Sequence, residues 1–275
     1  MNRKTPASTA GKAIGVVVLI SLSLFPFYWM LSTAVDTSPL SRGASLLPSG
    51  FTLDHFRYVL VDAGFLRYVR VSVIVAVGTV VLSAIVALLA AVAVARFRFR
   101  LRTQVLIMVL MVQMVPLEAL VIPLFLQARN LQMLNSLLGL IIVYLGFSLA
   151  FAIWNLRGFV AAVPRELEEA AYIDGAGWFR MFRSILLPLV APGLVATSVF
   201  SFITAWNEFI FALTFMQDSS KYTVGVGLRT FFTQNTADWG SVMAASTIIT
   251  LPVVLFFVLV QRNLAKGMTA GAVKG

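Results

Sequence analysis

Carboxylates inside long apolar runs are the residues of this chain whose chemistry first demands an account. Glu118 follows Gln113 and Pro116 in one such run, and Glu208 follows Trp206 and Asn207 in another. A charge in hydrocarbon is costly, so such a group faces a water-filled cavity, carries a proton or cation, or anchors one helix to another. A second acidic set, Glu166, Glu168, Glu169 and Asp174, lies in a polar gap between apolar runs and is followed by Gly175. Covalent and metal chemistry have little to work with. Cysteine is absent and His55 is the single histidine, so no metal ligand set can be assembled, and no catalytic motif is present. The sequence also lacks a Gly-x4-Gly-Lys-Ser/Thr loop, which leaves it without a phosphate cradle for a nucleotide cofactor.

The elements that position these groups are membrane helices. Hydrophobic residues make up 60% of the 275 residues, charged residues only 12%, and the mean hydropathy is +0.93, well outside the soluble range. About 20 apolar residues in a helix cross the hydrocarbon core, and a helix satisfies its own backbone there. Six runs qualify: 14–34, 71–95, 105–126, 137–156, 185–211 and 242–260. The first offers Ser32 and Ala34 at the spacing of a signal-peptidase site. It is longer than a signal core, however, and its removal would leave five spans, so it is read as a retained helix. Pro116 and Pro123 in the third run, Pro188 and Pro192 in the fifth and Pro252 in the sixth each delete a helix hydrogen bond and favour a kink. No strict internal repeat is visible.

The basic residues set the orientation. With both termini cytoplasmic, the inner segments carry fourteen: Arg3, Lys4, Lys12, Arg96, Arg98, Arg100, Arg102, Arg157, Arg165, Arg180, Arg183, Arg262, Lys266 and Lys274. The outer segments carry seven: Arg42, Arg57, Arg67, Arg70, Arg129, Lys221 and Arg229. The net charge of +10 is thus distributed by topology and gathers into no single basic face, which speaks against a nucleic-acid partner.

The longest inner connection, residues 157–184, has the signals of a short helix. Pro164 suits a first helical position, the three glutamates favour the positive end of a helix dipole, and Asp174-Gly175 supplies a stop. A second amphipathic turn with Trp178, Phe179, Met181 and Phe182 leads into the fifth span. Taken alone, the segment also suits a helix lying on the inner leaflet, but an anionic leaflet repels the glutamates of its first helix. Small Ala170 and Ala171 beside apolar Leu167 and Ile173 fit a protein partner better.

Within that connection stand Glu169-Ala170-Ala171, three residues, Gly175, nine residues, Ile185, one residue, and Leu187-Pro188. This is similar to the EAA motif of inner-membrane permeases of binding-protein-dependent ABC importers and agrees at every motif position. The stretch Trp206-Asn207-Glu208-Phe209, the segment from Leu47-Pro48 to Thr52-Leu53, and the end from Gln261 through Lys266-Gly267 and Gly271 to Lys274-Gly275 resemble the MalG-like carbohydrate branch. The resemblance covers nearly the whole chain.

The resemblance implies an all-α polytopic membrane protein with six transmembrane helices, a cytoplasmic coupling helix between spans four and five, and a place in the cell inner (plasma) membrane. Residues 1–13 and 262–275 would be cytoplasmic tails around a permease domain, 14–261. Glu169, Ala170, Ala171, Asp174, Gly175, Leu187 and Pro188 would couple the chain to a cytoplasmic ABC ATPase dimer. That dimer would hold the ATP and Mg, and Gln261, Gly267, Gly271 and Lys274 would touch it too. A second permease subunit and an extracytoplasmic solute-binding protein complete the expected assembly. Trp206, Asn207, Glu208, Gln113 and Glu118 are the candidates for the solute pathway. A sugar or amino sugar is the first expectation for the cargo and glycerol phosphate the second, since no basic cluster stands in the spans for a strongly anionic solute. An ion-coupled secondary transporter using Glu118 and Glu208 is the competing expectation.

Overall fold

The computed structural model describes residues 6–41, 43, 45–232 and 238–271. Among them the fold is nearly all helical, with no strand and one isolated bridge between Asp36 and Phe51. The chain divides into two units, Met1–Leu66 with Leu228–Leu251, and Arg67–Gly227 with Pro252–Gly275. The helices in chain order are α1 Pro6–Ala34, α2 Asp54–Arg57, α3 Leu66–Arg96, α4 Arg102–Gln113, α5 Val121–Asn130 and α6 Leu137–Ala162. They continue with α7 Arg165–Ile173, α8 Trp178–Met181, α9 Leu187–Asn207, α10 Ile210–Phe215, α11 Val224–Leu228 and α12 Trp239–Gly271.

Among the described residues, five helical stretches are long and apolar enough to cross a membrane: Ile14–Ala34, Leu66–Arg96, Leu137–Ala162, Trp178–Asn207 and Trp239–Gln261. The third expected span is different. Arg102–Gln113 and Leu117–Asn130 meet at 96°, so this region is a broken helix where a kinked one was expected. The cause is local: Pro116 has no N–H and drives Val115 out of helical geometry, and its own ψ of 127° is extended. The fifth expected span also moves. It starts earlier, at Trp178, stops at Asn207, and resumes as α10 after an extended Glu208. Pro188 is accommodated at the start of α9 by a wide π-helical turn, Phe182–Leu186, while Pro192 and Pro252 stay inside continuous helices.

In the first unit α1 exposes apolar side chains around its whole circumference, from Ile14 to Phe27, as a helix in lipid does. The segment after it is organised by Asp36, which is buried and accepts hydrogen bonds from the Ser38 N–H, the Ser49 N–H and the Ser49 hydroxyl. His55 Nε2 lies 3.0 Å from the Asp36 carbonyl, so the one histidine serves that turn.

In the second unit α6 and α9 run against one another, and Gly193 lies beneath the Phe159 ring where a Cβ would collide. Ser201 Oγ of α9 donates to Ser83 Oγ of α3 at 3.2 Å, a polar tie between buried helix faces. The Ser136 hydroxyl caps the start of α6 by accepting from the Gly139 N–H. Beside it Asn135 binds the turn after α10: its Oδ1 accepts from the Gln217 and Asp218 N–H groups, and its carbonyl accepts from Lys221 Nζ at 2.6 Å. The Asp218 carboxyl is held below the usual carboxylate range, chiefly by hydrogen bonds from Ser220.

Candidate coupling site and solute pathway

The inner connection folds as a helix with a built stop. Pro164 is extended and stands one position before α7, a shift of one from the expected first helical position. At the other end Gly175 adopts φ +78°, the left-handed region that glycine enters without steric cost. The Ala176 N–H donates to the Ala171 carbonyl at 2.9 Å and the Gly175 N–H to the Tyr172 carbonyl at 3.0 Å. These are the paired bonds of a Schellman cap. They give the motif spacing a physical meaning: Ala171 is the residue whose carbonyl the cap closes, and Gly175 is the left-handed residue that lets it close.

Ala171 is also the inward residue. It packs in a buried cluster with Ala91 and Ala95 of α3, Val160 of α6, Met181 of α8 and Val190 of α9. The outward face carries Leu167, Glu169, Ala170, Ile173 and Asp174, all exposed, with Ile173 86% exposed. The motif residues are therefore divided between two surfaces, an anchoring one and an open one. The second amphipathic turn does not stand apart as a separate short helix. It is α8, which runs on through the π turn into α9, so the corner at Gly175 is joined to a membrane span by continuous helix. Leu187 is half-buried and Pro188 exposed in the first turn of α9.

A residue not singled out from the sequence enters here. Arg96, at the end of α3, places Nη2 2.7 Å from Glu168 Oε1 of α7 and donates from the same nitrogen to the Val163 carbonyl at 2.9 Å. Both side chains are nearly buried, at 10% and 12% exposure. The Glu168 contact is an ion pair without hydrogen-bond alignment, so charge attraction holds it.

The pathway candidates separate into packed and open groups. Glu208 accepts from the Tyr144 hydroxyl at 2.5 Å and from the Phe211 and Ala212 N–H groups at 2.8 and 3.1 Å. Its carboxylate thus caps α10 and ties it to α6. Trp206 is buried and stacks on Phe202, which in turn stacks on Phe256 of α12 at 4.0 Å. Asn207 is exposed, its Nδ2 donating to the Ile203 carbonyl. Gln113 is exposed at the end of α4 and, with Thr204, Phe147, Phe151 and Phe200, lines a cleft of about 190 Å³ beside the helix break. Phe200, Thr204 and Asn207 follow one another at four- and three-residue intervals, so they share one stripe of α9. Glu118 lies exposed on the 3-10 turn beyond the break, outside that lining. Gln261, Gly267 and Gly271 fall on the last turns of α12, and Lys274 lies outside the described residues.

A family model described as "Binding-protein-dependent transport system inner membrane component" matches residues 83–270, from the middle of α3 to the last turn of α12. The chain belongs to this family. It is a transport subunit and not an enzyme, and a multi-pass inner-membrane protein. Among curated relatives it is 42% identical over 262 residues to the diacetylchitobiose uptake system permease protein DasC of Streptomyces coelicolor, covering 94% of this chain and 95% of that one. It is 37% identical to the trehalose/maltose transport system permease protein MalG of Thermococcus litoralis, over 95% of each. To the maltodextrin transport system permease protein MdxG of Bacillus subtilis it is 30% identical over the full length of both. These similarities put the permease in the MalG-like branch. A bacterial ABC transporter that imports the acidic polysaccharide alginate shares its fold at a TM-score of 0.80 and 22% identity, over 95% of this chain and 99% of that one.

Proposed function

We propose that this permease forms half of the translocation pathway of an ATP-driven importer for an oligosaccharide or amino sugar. A second permease forms the other half, an external binding protein delivers the solute, and a cytoplasmic ATPase dimer supplies the energy. The observation that carries this reading is the divided α7 helix, in which Ala171 is buried while Glu169, Ala170, Ile173 and Asp174 are exposed. An apolar and acidic knob at the end of continuous membrane helix suits a socket on another protein. The twofold excess of basic residues on the inner segments supports a cytoplasmic place for both termini and this knob. Gln261, Gly267 and Gly271, on the last turns of α12, together with Lys274, are the second ATPase contact in the same assembly, and the tails 1–13 and 262–275 flank the permease domain.

The sugar assignment rests on the relatives named for diacetylchitobiose, trehalose/maltose and maltodextrin. The cleft beside the break in the third span supports it. Irregular backbone at membrane depth is tolerated where it lines a cavity, and here the cavity offers Phe147, Phe151 and Phe200 for stacking with Gln113 and Thr204 for hydroxyls. Asn207 extends that lining along α9, and Glu118 stands on the turn beyond it. Trp206 and Glu208 hold the wall from behind. Nucleotide binding on the partner closes the ATPase dimer, moves α7, and turns α8 and α9 with it, so the cleft alternates between the two sides. A near-complete switch needs roughly 5.5 kcal/mol of differential binding. Glu208 is already shared among three donors, and the ion-coupled alternative finds no support in the family.

Copurification tests the assembly. A tagged chain in native membranes is expected to bring down an ABC ATPase and a second permease; recovery of the chain alone would refute the reading.

A further inference from the structure

Resting on the coupling role proposed for α7, we infer that Arg96 is the positioning residue that makes α3 move with α7. The backbone joins α7 to α6 through Val163-Pro164 and to α9 through the Gly175 corner, but α3 ends at Arg96 with no chain connection to α7 nearby. Arg96 supplies one. A single guanidinium nitrogen meets Glu168 of α7 at 2.7 Å and the Val163 carbonyl of the α6–α7 corner at 2.9 Å. Arginine suits this place because it stays charged, so one nitrogen can donate to the carbonyl while its charge attracts the Glu168 carboxylate. It also stands at the negative end of the α3 dipole.

Burial turns this contact into a mechanical tie. The Arg96 and Glu168 side chains are 10% and 12% exposed, so parting them would leave two charges poorly solvated. Ala171 of α7 belongs to the same buried apolar cluster as Ala87, Ala91 and Ala95 of α3. Both helices therefore contribute to one buried cluster, and the ion pair is a second link between them. A displacement of α7 is thereby delivered to three spans, by covalent continuity to α6 and α9 and through Arg96 to α3. Glu168 and Glu169 are adjacent in sequence yet act on different bodies: Glu168 faces inward to α3, and Glu169 faces outward to the socket.

The test uses the assembled transporter reconstituted with its ATPase, second permease and binding protein. Assembly is read first, and its failure would remove the coupling reading itself. With Arg96→Gln or Glu168→Gln, the ATPase is expected to copurify while solute transported per ATP hydrolysed falls at least tenfold. The reversed pair, Arg96→Glu with Glu168→Arg, is expected to recover part of that ratio. An unchanged ratio in both single variants would overturn the assignment. A second measurement leaves Arg96 in place. Because the sequence has no cysteine, spin labels can be put at Leu89→Cys on α3 and Arg165→Cys on α7. Their separation is expected to be the same without nucleotide and with trapped ATP; a change of several ångströms between those states would equally overturn the assignment.

Discussion

The Tyr144 hydroxyl donates to Glu208 at 2.5 Å, joining the first third of α6 to the point where the fifth span breaks. Glu208 uses the same carboxylate to start α10, through the Phe211 and Ala212 N–H groups. An acidic residue in a membrane thus serves as a helix cap and a strut at once. Tyr144→Phe removes one bond, a cost of about 1 kcal/mol. Glu208→Ala strands three donors at about 1–3 kcal/mol each where they stay dry. Thermal unfolding in detergent is expected to show a clearly larger loss for Glu208→Ala than for Tyr144→Phe. A solute-contact role predicts the opposite pattern, unchanged stability with a raised KM for uptake.

Gly175 is required for its backbone angle and not for lack of room. Its φ is +78° and nothing lies within 4 Å of where a Cβ would stand. Non-glycine residues pay about 1–2 kcal/mol for the left-handed region, asparagine least among them. Transport is therefore expected to fall in the order glycine, asparagine, valine at this position. Equal loss for Gly175→Asn and Gly175→Val, in uptake assays on membranes with matched expression, would contradict this and point to contact with a partner surface.

Glu169 is exposed on α7. Glu169→Lys is expected to leave insertion intact and stability within about 0.5 kcal/mol, as exposed substitutions do. ATPase recovery in pull-down is expected to drop sharply. Retained ATPase association together with normal uptake would take the docking role away from this residue.

The cleft beside the broken span makes a kinetic prediction. Phe151 and Phe200 lie with ring centroids 4.0 Å apart at its edge, and Thr204 supplies a hydroxyl. Phe151→Ala or Thr204→Val is expected to raise the KM for uptake several-fold, tenfold corresponding to about 1.4 kcal/mol. Binding of solute to the isolated external binding protein would not change. An unaltered KM in both variants would place the solute contacts elsewhere.

Most of the spans were legible because lipid imposes length and apolarity on every helix that crosses it. The stop of α7 was legible as well, since Asp174-Gly175 is a local signal and its geometry is local. The break after Asn207 was not. Trp206-Asn207-Glu208-Phe209 contains neither proline nor glycine, and the break is stabilised by Tyr144, far away in sequence. Arg96 was hidden for another reason. It opens a run with Arg98, Arg100 and Arg102 in which every arginine reads equally well as a topology charge. The approach of Glu168 and the bond to the Val163 carbonyl distinguish it. The third span shows the limit of proline as a signal: Pro116 announces a kink, but the 96° turn depends on the extended ψ of Pro116 itself and the 3-10 turn that follows it.

The most direct test of the central claim is solute uptake into proteoliposomes containing this permease with its second permease and ATPase. Uptake of a small oligosaccharide is expected to require ATP and the loaded binding protein, and to persist when ionophores collapse every ion gradient. Uptake by this chain alone, driven by an ion gradient and indifferent to ATP, would contradict the account.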